Sequence, residues 1–169
     1  MDTLTALMTR RSIRAFTDDP VTDAEIDTIL RAAMAAPSAS NERPWRFVVV
    51  RERDTLDRLA KATPFARPLE RAQVGIVVCA DKREAKYPGF WVIDCAAAIE
   101  NALLATHAIG LGGVWIGVHP VAPFAYAARR IIDAPRHIAP HSLLAIGRPA
   151  KQSPPVDRYD AGWVRQERW

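Results

Sequence analysis

Arg10-Arg11-Ser12-Ile13-Arg14 places three guanidinium groups and one hydroxyl within five residues. Each guanidinium presents a planar fork of charged donors, so the cluster suits a dianionic phosphate. A plainer reading competes with this one. Leu4, Leu7 and Met8 have helical spacing, and cations at the end of such a helix complement its dipole. A solvated helix end accounts for Arg10 and Arg11, but it requires neither Ser12 nor Arg14. A second polar cluster, Pro37-Ser38-Ala39-Ser40-Asn41, follows the next helical stretch.

Other chemistries find little support. Cys79 sits in an apolar strand-like run and Cys95 in an apolar helix-like one, settings in which a free cysteine behaves as a small hydrophobe. His107, His119, His137 and His141 lack zinc-ligand spacing. Pro140 would break the helix needed to align His137 with His141, so no metal site is expected. The net charge of +4 is spread over scattered arginines without a nucleic-acid-binding signature, and an anionic small molecule explains it equally well. No apolar run reaches the roughly 18 residues of a membrane span. Met1-Asp2-Thr3 opens neither a basic nor an apolar leader segment, so a cytoplasmic protein is expected, with neither membrane nor nucleic acid as a partner.

The elements that position these clusters follow from periodicity. At 169 residues, with 49% hydrophobic and 25% charged content, the chain suits one domain burying roughly 70% of its unfolded surface. Thr22 and Glu25 form a capping-box pattern, Val21 can staple against Ile26, and Ile26, Ile29, Leu30, Ala33 and Met34 make a helical stripe, predicting a helix over 22–36. Strands are predicted over Trp45–Val50, Gln73–Ala80, Gly113–Val118 and Ser142–Ile146. Helices are predicted over 54–62, 91–109 and 122–133, the second apolar nearly all round and therefore core or interface. This alternation implies a layered α/β sandwich around a central mixed sheet. Gly110-Leu111-Gly112-Gly113 stands after a helix and before a strand, the reverse of the order required by a dinucleotide fingerprint or a P-loop.

Read together, Arg10-Arg11-Ser12-Ile13-Arg14, Ala36-Pro37-Ser38-Ala39-Ser40-Asn41, Pro44-Trp45, Asn101, Gly110-Leu111-Gly112-Gly113-Val114-Trp115-Ile116-Gly117 and Ile146-Gly147-Arg148-Pro149 resemble a compact member of the FMN-dependent nitroreductase family. The match runs nearly end to end. It implies an α/β (α+β) nitroreductase-like sandwich, one domain over 1–169 with the tail 147–169 packing on a partner subunit. It also implies a homodimer with FMN in a cleft between subunits. Arg10, Arg11, Ser12 and Arg14 match the segment that holds the phosphate and one flavin edge. Pro37, Ser38, Ala39 and Asn41 match a segment reaching the same flavin from the partner chain. Gly113, Val114 and Trp115 match a turn lying against the isoalloxazine ring. Arg158 is a further phosphate candidate, and Arg148 a weaker one.

The activity so implied is transfer of reducing equivalents from NAD(P)H through flavin to a nitroaromatic, quinone or related small acceptor by a ping-pong mechanism. FMN carries the redox chemistry and no catalytic side chain is assigned. Arg43 stands where relatives often have Gln, Gly113-Val114 where they often have Ser-Cys or Ser-Thr, and Arg165 where compact relatives often have His. Arg43 is expected to face solvent, and Trp45 to be a core aromatic. The rivals are a reductive dehalogenase or flavin-fragmenting enzyme of the same fold, and a non-catalytic anion or nucleic-acid binder. The physiological acceptor and the choice between NADH and NADPH are not encoded in these motifs.

Overall fold

The computed structural model describes residues 1–151 and 153–169. Four strands, β1 (Trp45–Val50), β2 (Val74–Asp81), β3 (Gly112–Gly117) and β4 (Ile138–Gly147), form one sheet in the order β1-β2-β4-β3. All three ladders are antiparallel. The expected mixed character is confined to an isolated parallel bridge between Ser12 and Gly113 at the outer edge of β3. β4 runs longer than its predicted core, beginning before Pro140, and a register irregularity at Val78/Cys79 accommodates that proline opposite Cys79.

Both sheet faces are covered, and for this reason β2 shows no polar alternation. Val74, Ile76, Val78 and Ala80 pack toward α2 (Asp23–Met34) and α4 (Phe90–Ala108). Val77 and Cys79 pack with Leu56, Leu59 and Ala128 of α3 (Arg53–Ala60) and α5 (Ala122–Ile131). The short α1 (Thr3–Thr9) lies outside α4. Helix α2 has the capping box that its sequence predicts: Glu25 N–H donates to Thr22 Oγ1 at 3.3 Å, and Thr22 N–H donates to Glu25 Oε2 at 2.8 Å. Val21 and Ile26 are both buried beside it. Asn101 Nδ2 donates to Ala32 O at 3.1 Å, tying the mid-point of α4 to α2. The thin, alanine-rich α4 thereby sits in the core, ends on Gly110 at φ 85°, and delivers the chain into β3.

Burial raises the thiols of Cys79 and Cys95 to about 12, so both stay protonated hydrophobes, as their sequence contexts predict. No helix is long and apolar enough to cross a membrane among the described residues. Nor do they contain a His/Cys/Asp/Glu cluster able to hold a metal.

Candidate functional site

Asp2 caps α1 by accepting from Thr5 N–H at 3.0 Å, and the helix stops at Arg10, whose extended backbone (ψ 131°) turns the chain toward β3. Arg10 pairs with Glu100 of α4 at 3.4 Å, while Thr9 Oγ1 meets His107 Nε2 at 2.8 Å. These contacts fix the start of a strap. Ile13 N–H donates to Gly113 O at 3.0 Å, Thr17 N–H to Arg148 O at 2.9 Å, and Phe16 bridges Pro149. Residues 11–17 therefore run along the outer edge of β3 and across the end of β4.

Within the strap, Ser12 and Arg14 are exposed, and Arg14 has no carboxylate partner among the described residues. Arg11 Nη1 donates to Pro154 O at 3.1 Å, drawing the start of the tail alongside. A cleft of about 410 Å³ is lined by Arg10, Arg11, Arg158, Tyr159 and Glu100. The chain thus brings the distant Arg158 to two of the strap arginines. Arg148 is elsewhere, bonded to both carboxylate oxygens of Glu25 at 2.9 and 3.2 Å, where it braces the start of α2. Both bonds come from Nη2, which commits that arm of the guanidinium to Glu25.

Gly113, Val114 and Trp115 lie in strand β3 rather than in a turn, because each pairs with β4. Val114 points into the α3/α5 core, leaving only Trp115 of the three partly exposed. What the strand presents is its edge. Residues two apart turn their backbone groups to the same side. Gly113 turns its carbonyl outward to Ile13, so Trp115 and Gly117 turn theirs outward beyond the end of that contact. Gly117 has open space where a side chain would begin.

Pro37, Ser38, Ala39 and Asn41 form a separate feature at the start of α4. Ala39 N–H donates to Asp94 Oδ1 at 2.9 Å, and Ser38 Oγ accepts from Arg43 N–H at 3.0 Å. Ser40, Asn41 and Arg43 have φ of 48°, 56° and 49°, each a left-handed conformation costing about 1–3 kcal/mol for a non-glycine residue. Both carboxylate oxygens of Glu42 and Oδ2 of Asp94 are buried without a hydrogen-bond partner, which is costly unless a donor from another molecule meets them. The anchors Asp94 and Glu100 stand about 9 Å apart along α4. Among the described residues, no hydrogen bond joins the 37–41 segment to the arginine strap. Arg43 is exposed, as expected, with Nε on Asn41 O at 3.3 Å. Arg165 stacks over the Trp169 ring at 5.3 Å.

Sequence reading missed a polar cluster at the far end of β3. Trp115 Nε1 donates to Ser142 Oγ at 2.6 Å, and His141 Nδ1 meets the same oxygen at 2.9 Å. Trp91 stands edge-on to His119 at 4.8 Å and to His141 at 6.0 Å. Burial, then the neighbouring His119, pushes His141 down to about 4. Nothing local to any one of these histidines signals the sheet register that gathers them.

The donor set suits FMN in kind. Arginines and a hydroxyl on the strap match a phosphate, and the free edge of β3 matches the polar rim of a planar ring. Comparison with known proteins points the same way. A protein of Methanothermobacter thermautotrophicus, named as a candidate NADH dehydrogenase/NAD(P)H nitroreductase, is 44% identical over 169 residues, spanning 100% of this chain and 88% of its own. A Parabacteroides distasonis structure of the same designation superposes with TM-score 0.95 at 37% identity, covering 99% and 98% of the two chains. A Desulfovibrio desulfuricans nitroreductase candidate, solved in complex with FMN, superposes with TM-score 0.87 at 30% identity over 100% and 98%. The nitroreductase family profile itself matches residues 7–64 and 63–148, and the chain belongs to the nitroreductase family.

Proposed function

We propose that this chain is an FMN-dependent NAD(P)H oxidoreductase that reduces a nitroaromatic, quinone or related small acceptor. The observation that carries the reading is the strap, which hydrogen-bonds to the edge of β3 at Gly113 while leaving Ser12 and Arg14 exposed beside Arg11. Arg11, Ser12 and Arg14 hold the cofactor phosphate, and Arg158 joins them from the tail. The outward backbone groups of Trp115 and Gly117 orient the ring. FMN, when bound, supplies the two-electron redox chemistry. No side chain is given a proton-transfer role; the protein's contribution is placement and electrostatics.

The reading includes a homodimer with FMN between subunits, to which each chain gives its strap and its partner gives Pro37, Ser38, Ala39 and Asn41. Its support is the strained 37–43 segment with its orphaned Glu42 and Asp94 oxygens, together with exposed Leu4, Leu7, Met8, Phe90 and Ile93 on α1 and α4. A cytoplasmic location goes with this reading, since NAD(P)H is held there. The test is the visible spectrum of the purified protein before and after NADH or NADPH. A flavin band at about one FMN per chain that bleaches anaerobically is expected. FAD, or no flavin uptake from added FMN, would remove the reading.

A further inference from the structure

The segments after β2 and β3, the start of β4, the start of α4 and one face of α5 border a cavity of about 480 Å³, at the opposite end of β3 from the arginine strap. Its size is that of a small-molecule pocket. Lys82, Arg129 and Arg136 supply cations, Trp91, Tyr126 and His119 supply rings, and no carboxylate lines it. None of the three cations has an ion-pair partner among the described residues. Two lie over the rings instead, Lys82 Nζ at 5.7 Å from the Trp91 centroid and Arg129 Cζ at 5.6 Å from that of Tyr126. Ala122, Ala125, Tyr126 and Arg129 line the wall from one face of the ten-residue α5, with Arg129 in its last turn.

Uncompensated cations in a concave site attract an anion, and the flanking rings favour a flat apolar body over a bare ion. A bare phosphate would satisfy the cations and leave the aromatic walls uncovered. We infer that this cavity binds a planar aromatic carboxylate, its carboxyl held by Arg129, Arg136 and Lys82 and its ring against Trp91, Tyr126 and His119. An occupant is also in touch with the redox edge. The His119 ring stacks on His141 at 6.1 Å, and His141 shares Ser142 Oγ with Trp115 on β3. The binding site stands on these contacts alone. Its use as an acceptor subsite rests on the oxidoreductase reading.

The experiment is calorimetric titration of the purified, flavin-loaded protein with benzoate, with its neutral analogue benzamide, and with inorganic phosphate. Benzoate should bind once per chain, about tenfold or more tighter than either comparator. Arg129→Gln with Arg136→Gln should weaken benzoate about tenfold and leave benzamide unchanged, and the exposed single change Lys82→Gln should act in the same direction. Saturation with benzoate should also alter the fluorescence of the wild type but not of Trp91→Phe. Equal binding of benzoate and benzamide, phosphate binding as tight as benzoate, unchanged benzoate affinity in the charge variants, or no benzoate binding would each overturn the proposal. Flavin reduction by NAD(P)H is a separate measurement, so failure of the redox reading would not be mistaken for failure of this one.

Discussion

Ser12 is bridged in parallel to Gly113 across the outer edge of β3, and Ile13 N–H donates to the Gly113 carbonyl at 3.0 Å. This one junction sets the distance between the strap side chains that we propose hold the phosphate and the strand edge that we propose faces the ring. Gly112 makes it possible: a Cβ there would stand 2.8 Å from Ile13 Cγ2 and 2.9 Å from Ile13 Cβ. Gly112→Ala should therefore push the strap off the strand, costing about 1–3 kcal/mol by overpacking. FMN affinity should fall by about tenfold or more alongside the melting temperature, and adding Ile13→Ala should recover part of both. Full FMN affinity in Gly112→Ala would show that strap placement does not govern cofactor binding.

Arg11 and Arg148 provide a contrast between a cation proposed to meet the cofactor and one that braces a helix start. A charge-assisted phosphate bond is worth roughly 1.5–3 kcal/mol, so Arg11→Ala should weaken FMN binding by about 10- to 150-fold. Arg148 is already spent on Glu25, whose carboxyl is held below its ordinary range chiefly by the Thr22 backbone and further by Thr22 Oγ1 and Arg148. Arg148→Ala should cost about 1 kcal/mol of stability or less and leave FMN affinity unchanged. Flavin titrations of the two variants, with denaturant melts, check both halves.

The contrast also marks where sequence reading stops. Thr22 and Glu25 are three residues apart and their capping box is a local pattern, so α2 was legible together with its start. The β3 strand was legible from its apolar run, yet its central residues were expected in a ring-facing turn. Their pairing with β4 depends on residues some thirty positions later, and that pairing leaves only the strand edge available. The partnership of Arg148 with Glu25 spans 123 positions. His119, His141, Trp91 and Ser142 likewise converge only once β2, β3 and β4 are in register. Local chemistry was readable in this chain; the choice among its arginines required tertiary contacts.

If donor and acceptor occupy one cleft in turn, NAD(P)H must leave before the acceptor enters. Steady-state rates with NAD(P)H and a quinone or nitroaromatic should then give parallel double-reciprocal lines. Intersecting lines would indicate that both substrates are held at once. Failure of either nicotinamide to reduce the flavin would favour the specialised rivals of the same fold.

His141 gives a pH signature. Burial and the adjacent His119 hold it neutral in the folded chain, down to about 4 against an ordinary value of 6.5. Between those values the unfolded chain binds a proton that the folded chain does not, so stability rises with pH. The contribution is fully present above about pH 6.5 and is lost as pH falls toward 4, amounting to roughly 3 kcal/mol. His119 and His107 are shifted in the same direction, His119 by burial and Lys82 and His107 by burial and Arg10. The difference between wild type and His141→Gln isolates the one group. Urea melts across this pH range should show the variant losing less stability than the wild type; parallel profiles would mean that His141 is not the group responsible.

The tail is the part of the chain whose sequence and surroundings disagree most. Tyr159 and Trp163 are 77% and 78% exposed and Trp169 is fully exposed, although three such rings in a free segment forfeit their transfer free energy to water. Among the described residues, the hydrogen bonds that tie the tail to the rest of its chain all lie near its start, at Arg148, Ala150 and Pro154, and the last of these, with Arg11, brings Arg158 beside the strap. Our reading is that the rings beyond it pack on the second subunit. On that reading, burial of each should contribute on the order of 1.5–3 kcal/mol to the dimer, and with FMN bound between the subunits cofactor affinity should follow by linkage. Removal of residues 156–169 should shift the protein toward monomer in sedimentation and lower its flavin content together. Since truncation also deletes Arg158, Tyr159→Ser with Trp163→Ser separates the two effects by keeping the cation and losing the rings. That double variant should weaken the dimer and, through it, FMN binding, with added protein concentration restoring both. A truncated protein that stays dimeric and fully flavinated would free the tail from either role, and would leave Arg11, Ser12 and Arg14 as the whole phosphate site.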